Sequence, residues 1–275
     1  MIKKVIIFIA IALSFLYQGY SQSCGTHIPP GFFNKAKVKT LALDSTYVIP
    51  STLLPKVNLS ISVYVIGSDL SVGTLEGAID SLNLAFDPTG ISFSVCTETS
   101  IDGDEFTTIN NSTNEDRLTA LHSTVNTINL YLTDVVVADS EEVCGYTYLP
   151  SNPSRDYIFI DKNCDVSSTL IHEMGHFFGL LHTHETANGK ELVDESNCST
   201  AGDQLCDTKA SPNLSGLVDD NCEYHGRLMD ANDDYYLPSV SNHMSYSASI
   251  CRCKFTPGQY QRMVEFYWLY RQHLH

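Results

Sequence analysis

Residues 172–182 read His-Glu-Met-Gly-His-Phe-Phe-Gly-Leu-Leu-His, and the spacing of their histidines decides how this part of the chain folds. The segment fits the pattern H-E-x-x-H-x-x-G-x-x-H, which arranges three imidazoles around one zinc ion with a carboxylate beside it. His172 and His176 are four residues apart, so on an α-helix both side chains can reach the same ion. His182 would lie about 9 Å further along a straight helix. The chain must therefore leave the helix and fold back to the metal.

Gly179 stands where that break is needed, because glycine accepts the positive φ that ends many helices. We predict that it is the hinge that returns His182. Glu173 is offset by about 100° from His172 around the helix, so it should miss the metal and meet a water molecule bound to it. A zinc ion with three histidine ligands keeps one position open, as catalytic sites do. The residues therefore predict hydrolysis of an amide bond, with Glu173 as general base and acid.

Other interpretations of the same residues lead to different classes of protein. The simplest is a helix with two structural histidines and an exposed glutamate. A secreted zinc-binding adhesion or recognition module without catalysis is a second, although a site that only holds metal has no need of Glu173. A zinc amidohydrolase acting on a non-peptide substrate is a third, and analysis of reaction products would separate it from a peptidase.

The chain resembles the metzincin clan of zinc peptidases and, more narrowly, the secreted cytophagalysin-like branch of the pappalysin family. Besides the histidine motif, the resemblance rests on residues 202–208 (Gly-Asp-Gln-Leu-Cys-Asp-Thr), 242–246 (Asn-His-Met-Ser-Tyr) and 255–259 (Phe-Thr-Pro-Gly-Gln). Lys209 departs from the proline that the family usually has after the second of these stretches. The resemblance implies a zinc metalloendopeptidase with protein or peptide substrates.

The resemblance also implies roles for individual residues. Met244 would form an apolar floor under the zinc site, and Tyr246 would reach the metal or the oxyanion of the transition state. A strand near residues 146–150 would lie at the edge of the sheet and pair with the substrate. The residue after the scissile bond would enter a pocket between the zinc-binding helix and the segment that follows Met244.

Nine cysteines in an exported chain indicate disulfide bonds. The resemblance suggests that Cys198 pairs with Cys206, and Cys222 with either Cys251 or Cys253. It further suggests structural calcium, for which oxygen ligands are plentiful. The candidate acids are Asp203, Asp207, Asp219, Asp220, Asp230, Asp233 and Asp234.

Cys24 has three interpretations. It could be the acylated cysteine of a surface lipoprotein, but Ser21 stands where a lipoprotein signal has an aliphatic residue. It could be an ordinary disulfide partner. It could also be a latency switch, whose thiolate fills the open position of the zinc until the segment is cut away. We favour the switch because it leaves eight cysteines to pair.

The N-terminus predicts export. Lys3 and Lys4 precede an apolar run over residues 5–16, which is shorter than the roughly 20 residues that span a bilayer. We predict a signal peptide at residues 1–23, a pro-segment or extended arm at 24–55, and a catalytic domain at 56–275. The chain should be secreted, without insertion into a membrane, and a monomer. Its net charge of −16 argues against a nucleic-acid partner.

The periodicity of apolar residues predicts an α+β fold. Alternation predicts a strand at residues 57–66, and helical spacing predicts a helix at 73–86. Further strands are expected at residues 91–95, 129–137 and 157–160, and a closing amphipathic helix at 257–269. The zinc-binding helix could begin at Asp165, Ser167 or Ser168. A twisted mixed sheet should back that helix, and the resemblance implies two lobes, the lower one irregular and disulfide-bonded and ending in the C-terminal helix.

Overall fold

A computed structural model describes residues 23–28, 32, 54–67, 70, 72–151 and 155–274. The predicted signal peptide, except Ser23, and most of the predicted pro-segment lie outside the described residues. In chain order the elements are β1 (Val57–Ile66), α1 (Val72–Phe86), β2 (Ile91–Ile101), β3 (Thr108–Asn110), α2 (Glu115–Leu121), β4 (Ile128–Thr133), β5 (Val135–Ala138), β6 (Glu141–Val143), β7 (Gly145–Thr147), β8 (Tyr157–Asp161), α3 (Val166–Phe177) and α4 (Pro257–Phe266). Single turns of other helix types cover Asp87–Thr89, Ser249–Cys251, Tyr267–Arg271 and Gln272–Leu274.

The main sheet has five strands in the order β2-β1-β4-β8-β7. The first four strands are parallel, and the edge strand β7 runs antiparallel to β8. A smaller sheet has the order β3-β5-β6. The sheet is therefore mixed, as predicted, and the α+β class is confirmed.

Both faces of the main sheet are buried along β1, β4, β8 and β7, whereas most of the edge strand β2 is exposed. On one face, alternate residues of β1 such as Leu59 and Ile61 pack against α1 and α3 in the largest core cluster. On the other face four aromatic rings stack in a row, from Tyr64 through Tyr131 and Phe159 to Tyr146, with centroid separations of 5.0, 4.9 and 4.7 Å. Burial of such side chains contributes roughly 1.5–3 kcal/mol each. The row ends with Tyr146 on β7, so ring stacking holds this edge strand against the face of the sheet.

Two strand predictions need correction. Residues 129–137 form two strands in different sheets, not one, because the chain leaves the main sheet at Asp134. The carboxylate of Asp134 lies 3.1 Å from Lys162 Nζ, and this ion pair marks the crossing point. The strand expected at 91–95 continues to Ile101, since β2 pairs with β1 along the full length of β1.

Three disulfides are present among the described residues: Cys144–Cys164, Cys198–Cys206 and Cys222–Cys251. The suggested Cys198–Cys206 pair is confirmed, and Cys251 rather than Cys253 is the partner of Cys222. The expectation that eight cysteines pair is wrong. Three thiols are free among the described residues: Cys24 is half-buried, and Cys96 and Cys253 are exposed.

Helix α3 and the turn that follows it divide the described residues from 54 onward into two lobes. The upper lobe consists of the described residues between 54 and 181, and the lower lobe consists of residues 182–256. The lower lobe contains one helical turn, Ser249–Cys251, and isolated β-bridges. After it α4 returns to the upper lobe, where Met263 joins the largest core cluster. No helix in the described part of the chain is long and apolar enough to cross a membrane.

Candidate metal centre and active site

Helix α3 is fixed at both ends by its sequence. Asp165 is the N-cap, and its side chain accepts the backbone N–H of Ser168 at 3.1 Å. The helix ends at Phe177, and Gly179 follows with φ of +88°. A Cβ at position 179 would also lie 2.6 Å from the ring of Phe266. Glycine is therefore required for the backbone angle and for the packing.

The turn at Gly179 orients a histidine as well as reversing the chain. Leu180 N–H donates to Gly175 O at 3.0 Å, which folds the chain back along the helix. The carbonyl of Leu180 then accepts from His176 Nδ1 at 2.8 Å. In the same way His172 Nδ1 donates to His243 O at 2.7 Å. Because a carbonyl can only accept, both rings carry their proton on Nδ1 and present the lone pair of Nε2.

Three histidine nitrogens converge at one point. His176 Nε2 lies 3.2 Å from His172 Nε2 and 3.0 Å from His182 Nε2. Burial lowers the pKa of all three imidazoles, that of His176 to about 4, so they are neutral. Neutral Nε2 lone pairs at this separation repel one another unless a cation lies between them. Three buried neutral imidazoles fit the open tetrahedral set that catalytic zinc prefers.

Met244 packs against the helix that carries His172 and His176. It is fully buried, and a Cβ at Gly175 would lie 2.5 Å from its Sδ, so the glycine on α3 leaves room for it. The turn that carries it is held by Asn242, whose Oδ1 accepts Met244 N–H at 2.8 Å. Gln259, in the first turn of α4, holds the Asn242 amide in turn at 2.9 Å.

Glu173 is fully buried beside the histidines. Its Oε2 accepts from Thr26 Oγ1 at 3.2 Å and from Cys24 Sγ at 3.4 Å. Its Oε1 has no hydrogen-bond partner among the described residues. Burial raises the pKa of this carboxyl to about 7. A carboxyl with such a pKa and a free oxygen can exchange a proton near neutral pH.

Tyr246 lies across the site from Glu173. Its ring centroid is 4.8 Å from that of His182. Its hydroxyl donates to Cys24 O at 2.9 Å and accepts Cys24 N–H at 3.0 Å. His184 stacks on His182 at a centroid distance of 4.9 Å, and its ring is tilted against that of Tyr246 at 4.5 Å. It is a neighbour of the histidine set rather than a member of it.

Residues 23–26 fill the cleft between β7 and Tyr246. Cys144 N–H donates to Ser23 O at 2.9 Å, and Gly25 N–H donates to Gly145 O at 3.0 Å. The Cys24–Gly145 bridge is parallel, so this segment extends the main sheet as a further short strand. It brings the Cys24 sulfur, with the three Nε2 atoms, into a set of four ligand atoms that all lie within 4.8 Å of one another.

Two features of the site region were not predicted from the sequence. Arg252 is buried behind His172, and its Nη2 donates to Ser168 Oγ at 2.7 Å. Glu191 is buried in the lower lobe with neither carboxylate oxygen hydrogen-bonded within the described residues. A single arginine eight residues after Met244, or a single glutamate in a loop, has no spacing that distinguishes it before folding.

A glycine turn that returns a third histidine to a two-histidine helix, with a methionine packed beneath, defines the metzincin class of zinc metallopeptidases. Comparison with known families agrees with that class. The sequence model of the family Peptidase M43, described as Pregnancy-associated plasma protein-A, matches residues 111–267, more than half of the chain. The chain therefore belongs to this family and is a zinc metalloprotease.

Individual relatives support the same assignment. An extracellular metalloprotease of Arthroderma benhamiae is 24% identical over 273 residues, which cover 91% of this chain and 92% of the relative. One of Colletotrichum graminicola is 26% identical over 283 residues, with 91% of each chain covered. Mature mirolysin of Tannerella forsythia, solved in complex with a cleaved peptide, shares the fold with a TM-score of 0.51 at 18% identity, over 75% of this chain and 90% of mirolysin. The family and these relatives indicate a secreted metalloprotease.

Proposed function

We propose that the protein is a secreted endopeptidase that cleaves protein or peptide substrates, with His172, His176 and His182 as zinc ligands and Glu173 as general base and acid. The observation that carries the proposal is the convergence of three neutral Nε2 atoms at 3.0–3.2 Å, with a buried carboxylate beside them. When zinc is bound there, it supplies Lewis acidity, which lowers the pKa of a water molecule to about 7 and polarises a carbonyl.

The residues around the metal divide the remaining work. Glu173 accepts the proton that the attacking water loses and returns it to the leaving amine. Tyr246 donates a hydrogen bond from its hydroxyl to the oxygen of the carbonyl under attack, as it now donates one to Cys24 O. Met244 supports the histidines from below, and Gly179 holds His182 in position. The substrate lies along β7, where residues 23–26 now make sheet hydrogen bonds.

The role of Glu173 is tested by Glu173→Gln, which keeps the shape of the side chain and removes its basicity. We expect the variant to retain one zinc per chain and to lose about 10³-fold in kcat or more. Cleavage is measured by mass spectrometry on a proteome-derived peptide library, which also reports whether the bonds cut are peptide bonds. Glu76→Gln, on the exposed side of α1, is the matched control. Wild-type turnover by Glu173→Gln would contradict the assignment of the base.

Cys24 is proposed to keep the enzyme latent. Its sulfur lies within 4.8 Å of the three Nε2 atoms and 3.4 Å from Glu173 Oε2, so it occupies the space that the attacking water needs. Burial and the charge of Glu173 raise the pKa of the free thiol. A zinc ion deprotonates a thiol that it coordinates, so metal and latency would be coupled. Removal of the N-terminal segment would then open the cleft.

Thiol labelling tests the latency proposal. In the full chain with zinc, we expect Cys24 to react slowly, and to react faster once a chelator removes the metal. The exposed free thiol of Cys253 serves as the internal control and should react equally in both states. In parallel, Cys24→Ala should cleave peptides without prior removal of the N-terminal segment. Equal reactivity of Cys24 with and without chelator would contradict the latency proposal.

Calcium is proposed to bind between Glu191 and Asp203 in the lower lobe. Both side chains are more than nine-tenths buried, and three of their four carboxylate oxygens lack hydrogen-bond partners in the described chain. The charge of Asp203 adds to burial in raising the pKa of Glu191 to about 8. Oxygen ligands in a buried, negatively charged setting suit calcium. Among the acids named from the sequence, Asp207 and Asp230 are instead occupied as backbone caps.

The organisation of the whole chain is part of the proposal. Residues 1–23 act as the signal peptide, residues 24–55 as the pro-segment that carries Cys24, and residues 56–275 as the catalytic domain. Three disulfides among the described residues favour an oxidising compartment, which supports secretion. The active protease is proposed to be a monomer, since all site residues come from one chain.

A further inference from the structure

Three arginines among the described residues are almost fully buried, and Arg252 has the fewest hydrogen-bond acceptors of the three. Arg262 donates to two backbone carbonyl oxygens, at 2.6 and 2.7 Å. Arg271 forms an ion pair with Asp156 and donates to the Phe177 carbonyl at 3.2 Å. Arg252 has one side-chain acceptor, Ser168 Oγ, and its Nε has no partner within the described residues. No carboxylate of the described residues lies within ion-pair distance of Arg252.

A second contact of Arg252 does not provide a further hydrogen-bond acceptor. Its Nη1 lies 3.4 Å from His172 Nδ1. That ring nitrogen already donates its proton to His243 O, so it has no lone pair to offer. Arginine is almost never fully buried without a paired anion, because its desolvation is not otherwise offset. The guanidinium therefore lacks a counter-ion, and no described residue of the chain supplies one.

The acids near Arg252 do not act as its counter-ion. Asp165 and Glu173 are the carboxylates whose fields act most strongly on Arg252. The Asp165 side chain caps α3 through Ser168 N–H. Glu173 is held by residues of the N-terminal segment and is needed beside the metal. Both acids moderate the positive potential, and neither makes a direct ion pair with the guanidinium.

The position of Arg252 indicates what the missing anion is. The residue belongs to the segment after Met244, and it contacts α3 at Ser168 and His172. It lies one imidazole ring away from the metal-facing Nε2. The pocket for the residue that follows the scissile bond is expected between these two elements. We propose that Arg252 forms the base of that pocket and that the enzyme cleaves before aspartate or glutamate.

The chemistry of the guanidinium supports this choice of substrate. Its planar set of N–H donors matches a carboxylate, and such charge-assisted pairs are about twice as strong as neutral hydrogen bonds. A site built to hydrogen-bond one substrate group discriminates strongly against an analogue that lacks it. Ser168 Oγ, already held by Nη2, fixes the orientation of the planar group. The inference rests on the proposed peptidase function and adds its specificity.

The test uses peptides that differ only at the residue after the scissile bond: aspartate, asparagine, leucine or lysine. Asparagine has the shape of aspartate without its charge, so the ratio of kcat/KM for this pair isolates the charge. For the full chain carrying Cys24→Ala, we expect a ratio of about 100, since hydrogen bonds to charged groups contribute the most. A ratio near one overturns the inference. Failure to cleave any of the peptides, or any member of a peptide library, counts against the peptidase function itself.

Variants assign the preference to one residue. Arg252→Gln should bring the aspartate-to-asparagine ratio close to one, and Arg252→Lys should restore part of it. Arg227→Gln removes an exposed arginine of the same lobe and should leave the ratio at its wild-type value. A preference for aspartate that survives Arg252→Gln in a folded, zinc-containing protein would show that Arg252 is not its source. If Arg252→Gln does not fold, the Lys variant and the wild-type ratio still decide the question.

Discussion

The two lobes on either side of the cleft are stabilised in different ways. The upper lobe buries continuous apolar rows on both faces of a five-stranded sheet. The lower lobe has almost no regular secondary structure. Its backbone N–H groups are taken up by side-chain carboxylates, as where Asp230 accepts from Val193, Asn232 and Asp234 at 2.8–3.0 Å.

The difference teaches where each lobe obtains its rigidity. Strands and helices satisfy their own backbone groups, so the upper lobe needs only matching apolar faces. The lower lobe instead depends on local caps and on two of the three disulfides, to which our proposal adds bound metal ions. Changes to these cross-links should therefore act on the lower lobe, while the upper lobe keeps its structure.

The largest effect is expected from loss of zinc. His182 is the one proposed ligand that belongs to the lower lobe, so the ion joins the two lobes. His182→Ala should lower zinc content and reduce kcat/KM by about 10³-fold or more, because three ligands are needed for the open catalytic set. Hydrogen exchange should increase in residues 182–256 and stay unchanged in β1 and β4. His225→Ala, an exposed imidazole of the lower lobe, is the control and should keep both zinc and activity.

Removal of the Cys222–Cys251 disulfide is expected to have the next largest effect. The bridge spans 29 residues, and loop-closure entropy predicts a loss of about 3.5 kcal/mol for the double Ser variant. The Cys198–Cys206 bridge spans 8 residues, for which the same relation gives about 2.5 kcal/mol. Denaturant unfolding measures both, with Cys253→Ser as the control for an exposed free thiol. Equal stability of the two bridge variants and the wild type would mean that caps alone hold the lower lobe.

Calcium is expected to contribute somewhat less. At a calcium concentration 100-fold above its Kd, binding to the folded state stabilises by about 2.7 kcal/mol, or about 5–10 °C in Tm. Zinc-loaded protein is melted with and without added calcium, and Glu191→Gln should abolish the shift. The control Asp220→Asn removes an exposed acid with the same change in charge. If calcium still raises the Tm of Glu191→Gln by the same amount, the calcium site does not include Glu191.

The upper lobe was largely predictable because its elements are long enough to show a period. Alternation identified the strand Val57–Ile66 in full, and helical spacing identified α1 to within a residue. The strands β3 and β6 were not predicted, since three residues are too few to show alternation. The edge strand β7 was expected near residues 146–150 from the family resemblance alone, and not from its own three residues. Residues 129–137 looked like one strand because both of its halves are apolar, and only tertiary structure separates them into two sheets.

The site was predictable where a motif fixes it. The spacing of residues 172–182 predicted the three convergent imidazoles and the turn at Gly179. The lower lobe has no such period, because carboxylate caps at Asp219 or Asp230 depend on local turns. Glu191 and Arg252 are ordinary polar residues in the sequence, and their isolation from partners exists only after folding. The number of cysteines likewise could not show that Cys96, on an edge strand, forms no disulfide within the described residues.

The smallest effect concerns a polar contact of the upper lobe. The buried carboxylate of Glu115, at the start of α2, accepts from Tyr146 at 2.8 Å and from Tyr148 at 2.6 Å. Burial raises its pKa, and the two tyrosine hydrogen bonds offset part of that rise. An acid with a raised pKa binds its proton more tightly in the folded state than in the unfolded state. Its ionisation therefore destabilises the fold as pH rises through the unfolded and then the folded pKa.

The consequence is a difference in pH dependence between wild type and Glu115→Gln. The glutamine keeps an acceptor for the tyrosines and has no charge to bury, so it should gain stability relative to wild type as pH rises above the ordinary glutamate pKa of about 4.3. Asp116→Asn, the exposed neighbour, should follow the wild-type curve. Denaturant unfolding at each pH gives the difference. Tyr146 lies on the edge strand β7, which we propose pairs with substrate. A gain that appears only as pH rises would show that this strand is held by a contact whose ionised form weakens the upper lobe.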